Sequence, residues 1–204
     1  MFNPLPKISL SAYLHLMEKI REYLERITPL SDRDWHTFSS KLVKCEFAKK
    51  TVLLKTGQTE NYLSFMETGI VRYYIPKINN DLTFAFTFDN SFISAYDSFL
   101  TRSPSVYQIE TLSKTLLWRL TYDDLQHIYR DTEVGNTIGR FACEAIFMTK
   151  SKRELSLLND SAEQRYLKLF TEQPQLIRQI PLKYIASYIG ITPQGLSRIR
   201  RRIT

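Results

Sequence analysis

Cysteine is scarce in this 204-residue chain: there are two, Cys45 and Cys143. Two thiols so far apart cannot make a zinc knuckle or hold an iron–sulfur cluster, and they read as buried thiols in a reducing compartment. Histidine is equally sparse, with His15, His36 and His127 scattered, and nothing in their spacing favours a haem ligand. The six glycines form no phosphate-cradling loop. The neighbouring carboxylates Asp123 and Asp124 read as a helix start. No nucleophile pairs with a base, so an enzyme is the least supported class, and no cofactor or metal is predicted. Long apolar runs are missing too: none approaches the ~20 residues that span a bilayer. The opening Met1-Phe2-Asn3-Pro4 lacks the basic stretch and apolar core of a signal peptide, so a cytoplasmic location is expected.

Acidic residues run out at one end. Residues 1–149 hold 17 Lys+Arg and 17 Asp+Glu, whereas residues 150–204 hold 11 and 4, so the net charge of +7 resides in the C-terminal part. From Pro181 onward there are five basic residues and no acidic one. This is the charge footprint of a nucleic-acid module. A membrane surface would attract the same charge, but the basic stretch offers only Leu196, Ile199 and Ile203 as apolar anchors, and a partner helix needs them.

What is present in quantity is core-forming material, 43% hydrophobic and 13% aromatic residues. Helical spacing is seen over Leu10 to Ile27 (Tyr13, Leu16, Met17, Ile20, Leu24), and a second short helix is expected over Asp32 to Leu42. From Cys45 to Leu120 the chain turns to β-branched and aromatic segments: "TVLLKTGQ", "NYLSFMETG", "IVRYYIPKINND", "LTFAFTF", "SVYQIETL" and "TLLWRL". Turns at Gly57 and Gly69, with no helix between strands, predict an antiparallel barrel or jelly roll. After a short helix at Thr121 to Asp131, Val134, Ile138, Phe141, Ala145, Met148 and Leu155 fall at spacings of four and three. That heptad-like seam suits packing against its own copy in a two-fold dimer; packing on the β domain is the alternative. A further helix is expected over Asp160 to Glu172.

The last stretch, "IPLKYIASYIGITPQGLSRIRRRIT", reads as two helices joined by a short turn. Pro181 suits a first helical turn, and Leu182, Ile185, Ala186 and Ile189 form one apolar face. Gly190 stops the helix, Ile191 anchors the connection, and Thr192-Pro193 reads as N-cap plus first residue of a second helix. Leu196, Ile199 and Ile203 line its buried side, leaving Gln194, Ser197, Arg198, Arg201 and Arg202 outside. This is the helix-turn-helix pattern. An ordinary helical hairpin with a solvated basic face fits the periodicity equally well, and the charge distribution decides between them.

Taken in order, "LLKTGQTENYLSFMETGIVRYYI", the long helix and "IPLKYIASYIGITPQGLSRIRRR" resemble the Crp/Fnr family of bacterial transcription regulators, in wording closest to Bacteroidetes-type Crp-like members. Ala186, Gly190, Ile191, Leu196, Arg198 and Ile199 fit the family's helix-turn-helix. The resemblance implies an α+β fold: a β-roll sensor domain with flanking helices over residues 1–132, a dimerisation helix over 133–158, and a winged-helix-like helix-turn-helix domain over 159–204. It implies a homodimer on a near-palindromic duplex, with RNA polymerase as partner if the protein activates, and no membrane partner. Pro193, Gln194 and Arg198 fall at base-facing positions, with Lys183, Thr192, Ser197 and Arg201 suited to phosphate. A proline at the first of these departs from familiar members.

The effector site departs further. Pro104-Ser105-Val106 stands where cyclic-nucleotide binders carry Arg-Ser/Thr-Ala, and Ile93-Ser94 where they carry Gly-Glu. Arg102 lies two residues early. A buried phosphate without its arginine is costly, so no high-affinity cyclic AMP binding is expected. Phe84, Phe86, Tyr96 and Tyr107 are candidate lining for a different effector, although alternating aromatics most often fill a β-roll's core. A ligand-binding or protein-interaction module whose helix-turn-helix does not read DNA is the alternative function.

Overall fold

The computed structural model describes residues 10–203, with side chains from Met17 onward. Helix α1 spans Leu10–Glu25 and α2 Asp32–Ser39, the latter capped by Ser31, whose hydroxyl accepts the Asp34 amide. Met17, Ile20 and Leu24 are buried as the spacing predicts, whereas the side chains of Tyr13, His15 and Leu16 lie outside the described ones.

Eight strands follow: β1 Val43–Phe47, β2 Val52–Leu54, β3 Tyr62–Thr68, β4 Ile70–Ile75, β5 Leu82–Phe88, β6 Ser91–Ile93, β7 Gln108–Thr111 and β8 Thr115–Thr121. They make two antiparallel four-stranded sheets, ordered β1-β8-β3-β6 and β2-β7-β4-β5. The Gly69 turn between β3 and β4 leaves no room for a side chain: a Cβ there would meet the Thr115 Oγ1 at 2.5 Å. Helix α3, Tyr96–Thr101, lies between β6 and β7, where the sequence pattern shows no helix.

Strand alternation sorts the side chains into layers. On β8, Trp118 and Leu120 face a core made by α1, α2 and α4, whereas Leu117 points between the sheets. Trp118 is fully buried and its indole N–H donates to Glu67 Oε2 at 2.8 Å. Trp35 stacks on Phe38 in the same helical cover. On β4, Val71 and Tyr73 point between the sheets, while Ile70 packs on the C-terminal helices.

One irregularity overturns a sequence expectation. Phe84, Phe86 and Phe88 should share one side of β5 by simple alternation. The register instead runs Tyr73↔Ala85 then Tyr74↔Thr83, leaving Phe84 as an extra, bulged residue. Phe84 consequently points between the sheets, whereas Phe86 and Phe88 point outward onto the C-terminal helices.

Helix α4, Tyr122–Asp131, begins with a reciprocal capping box between Thr121 and Asp124, as the paired aspartates foretell. Helix α5 runs 25 residues, Gly135–Asn159. Beyond it lie α6 Ala162–Glu172, α7 Pro174–Gln179, α8 Leu182–Tyr188 and α9 Pro193–Ile203. No strand follows β8 among the described residues, so the C-terminal unit is wholly helical and the winged-helix likeness rests on its helices. Among the described residues no helix is long and apolar enough to cross a membrane.

Candidate nucleic-acid interface

Helices α8 and α9 and the turn between them carry the basic surface. Gly190 adopts φ +81°, a left-handed conformation that glycine takes without steric cost. The Ile191 amide donates back to Ala186 O at 3.0 Å and closes the turn. Thr192 caps α9 as expected, its hydroxyl accepting the Gly195 amide at 3.1 Å. Leu196 and Ile199 are buried with Ile185, Ala186 and Ile189, each leucine or isoleucine side chain contributing about 1.5–3 kcal/mol. Three details differ from the sequence reading. Pro181 sits at the N-cap rather than inside the helix, Leu182 is 43% exposed, and Ile203, the last residue of α9, is exposed.

The opposite side of α9 is open. Gln194, Arg198 and Arg201 recur at intervals of four and three, one above another along two turns, with Ser197 beside them; all four are exposed. Pro193 is half-buried, with no hydrogen-bonding group to offer, so it can meet only an apolar feature such as a thymine methyl. Ser197 Oγ donates to Pro193 O at 3.0 Å. Lys183 is exposed on α8, its ammonium 4.8 Å from the Tyr184 ring. Arg198 and Arg201 line an open depression of about 560 Å³ with Ile191, Gly195, Ile199 and Arg202. Arg202, expected among the outward cations, is ion-paired with Glu163 of α6 at 2.7 Å.

The turn is fastened from behind by two arginines. Arg165 Nε donates to Ile189 O at 2.9 Å, and Arg153 of α5 donates to Tyr188 O while its guanidinium lies 3.8 Å from the Tyr188 ring. Burial pulls the Arg153 pKa down from its usual value. Neither residue was marked by sequence, because each works through a backbone carbonyl remote in the chain.

Comparison with known proteins adds the fold's relatives. No family model and no curated protein matches the sequence. Among solved structures, a protein described as a crp/fnr-family transcriptional regulator from Eubacterium rectale superposes with TM-score 0.68 at 18% identity, over 89% of this chain and 87% of that one. A CooA variant from Carboxydothermus hydrogenoformans gives 0.65 at 14% identity, over 87% of each chain. The catabolite activator protein of Thermus thermophilus gives 0.54 at 17%, over 89% and 86%. The fold is that of the Crp/Fnr regulators.

The candidate effector residues do not converge within that Crp/Fnr fold. Phe84 and Tyr107 do meet between the sheets, ring centroids 4.9 Å apart, with Tyr73 alongside. Phe86 instead packs on Tyr188 of α8 at 5.4 Å, flipped there by the bulge. Tyr96 lies outside the roll, stacked on Phe99 with its hydroxyl 3.6 Å from Cys143 Sγ of α5. The Tyr107 hydroxyl donates to Asp97 of α3 at 2.5 Å; burial, then that carboxylate, raises its pKa.

The segment that would hold a cyclic phosphate is engaged with its own chain. Ser105 is buried and bonds to the Tyr107 carbonyl at 2.9 Å. Arg102, in a left-handed conformation, donates to Glu60 O and Asn61 Oδ1, both at 2.7 Å. Glu60 is buried, which raises its pKa, and its carboxylate accepts the amides of Asn61 and Tyr62 at 3.0 Å each. Of the histidines, His36 and His127 are exposed on α2 and α4. The thiols differ from expectation: Cys45 is half-buried and Cys143 exposed on α5.

Proposed function

We propose that this chain is a homodimeric, sequence-specific DNA-binding transcription regulator that does not use cyclic AMP. The observation that carries the reading is the exposed row Gln194, Arg198 and Arg201 on a helix whose reverse side is buried against α8. In this reading α9 enters the major groove. Arg198 donates two bonds to a guanine edge, Gln194 meets the adjacent base and Pro193 the first base by apolar contact, while Lys183, Thr192, Ser197 and Arg201 hold phosphates.

The exposed seam on α5 supports dimerisation. Phe141, Ala145, Met148 and Leu155 are exposed, at 43% for Phe141, 66% for Met148 and 55% for Leu155, so most of the seam lacks a partner within the protomer. Val134 and Ile138, at its start, pack instead on the core of the β-roll's helical cover. A two-fold axis along the remaining seam covers it with its own copy and presents two recognition helices to successive major grooves of a near-palindrome. An activator of this design would also touch RNA polymerase. The interior aromatics and the Ser105 and Arg102 bonding support a roll that works without a cyclic nucleotide. The test is the mass of the protein by gel filtration, followed by selection from a randomised duplex pool at two salt concentrations with no nucleotide added. A dimer that selects a near-palindrome, with affinity falling steeply as salt rises, is the expected result; binding without sequence preference would sink it.

A further inference from the structure

The outer side of the β4–β5 hairpin is occupied by α8, the first helix of the helix-turn-helix. Arg72 on β4 is only 2% exposed. Its guanidinium lies between the Tyr74 ring, 3.8 Å away, and the Tyr184 ring of α8, 4.0 Å away. Asp81 at 2.9 Å and Glu110 at 2.7 Å balance its charge from within the β-roll. One turn further along α8, the Ser187 hydroxyl accepts the Thr83 amide at 2.8 Å and donates to Asp81 O at 2.5 Å, satisfying both its donor and acceptor roles across the boundary. Phe86 on Tyr188, with Ile70, Phe88 and Leu112, completes an apolar continuation of the C-terminal core onto the sheet. Arg153 holds Tyr188 from the α5 side.

We propose that this contact is a latch that sets the orientation of α9 relative to α5, and that the latched state is the DNA-competent one. The inference rests on the DNA-binding reading above and names how that site is held ready. Two physical points fix the sign. The latch leaves the Gln194, Arg198 and Arg201 row exposed, so it does not mask the reading surface. A dimer must also present its two recognition helices about 34–36 Å apart, and a tethered domain free to swing pays ordering entropy when it binds, which a preset orientation removes. In this chain a side-chain contact between the β-roll and α8 does the positioning that a bound effector would otherwise do.

Thr83 supplies a direct reporter, since its amide is held by Ser187 across the boundary. Ser187→Ala and Tyr184→Ala in the full chain are compared with wild type by amide exchange at Thr83, by affinity for the duplex that wild type selects, and by dimer mass and β-roll melting. The expected result is faster Thr83 exchange in both variants and a loss of affinity of roughly ten-fold, as for removal of a preorganised contact, with mass and melting unchanged. Faster exchange with unchanged or improved affinity would overturn the proposal, making the contact idle or inhibitory. Unchanged exchange in both variants would overturn it as well, since the contact would then not be holding α8. A wild type that selects no duplex would overturn the DNA reading and the latch with it. That outcome is distinguishable, because a failed latch alone leaves wild-type selection intact.

Discussion

In the β-roll, Arg72 and Arg119 are folded in among aromatic rings: Arg72 between Tyr74 and Tyr184, Arg119 between Phe47 and Tyr62 at 4.7 and 4.8 Å. On α9, Arg198 and Arg201 stand exposed. The same side chain serves as an internal rivet in one region and as a contact surface in the other. Surroundings decide which. A guanidinium is weakly hydrated for a cation and stacks on rings, so it tolerates burial where rings and carboxylates receive it. Burial pulls the Arg119 pKa downward, the mark of a cation held at some cost. Arg198 and Arg201, exposed on α9, stand where an incoming anion can reach them.

Substitutions test that contrast. Arg72→Ala strands Glu110 and Asp81 together without their cation, and unfolding in urea should show a loss of about 3–5 kcal/mol, the cost of orphaning one member of a buried pair. A loss below about 1 kcal/mol, the range of an exposed ion pair, would erase the distinction between the two regions. Arg198→Ala should behave oppositely: the urea midpoint stays put, while discrimination at one base position of the selected duplex drops by about 1–3 kcal/mol. Retained discrimination at every position would remove Arg198 from the interface. The smallest effect concerns the turn that aims α9. Gly190→Ala meets no clash, its nearest neighbour being Arg165 Nη2 at an ordinary contact distance of 3.7 Å, so only the left-handed backbone opposes it. Melting should register about 1–2 kcal/mol, and a larger loss would mean that the added methyl also disturbs the Arg165 and Arg153 bonds behind the turn.

What could be seen in the sequence was local. The helix-turn-helix shows because a glycine, an N-cap threonine and apolar residues at helical spacing lie within one short stretch. The β-roll shows because turn residues punctuate aromatic runs. The parting of Phe84 and Phe86 could not be seen, because one bulged residue reverses the face of the strand beyond it and no residue type announces the bulge, and Tyr96 parts from them because it begins α3. Nor could Arg72's partner on α8, since β4 and α8 meet only through the tertiary fold. A charged residue inside the apolar run "IVRYYI" was the available hint, and a buried cation in a strand always has to be received by something.

The chain has two tryptophans, Trp35 and Trp118, and both belong to the β-roll and its helical cover. The helices beyond α5 contain tyrosine but no tryptophan. Indole emission is therefore blind to melting of the C-terminal unit, whereas helix circular dichroism sees the whole chain. A heating experiment that records both signals from one cuvette separates the two regions without a label: coincident curves mean that they melt as one body, and a dichroism step ahead of the emission step marks the reading head coming loose on its own.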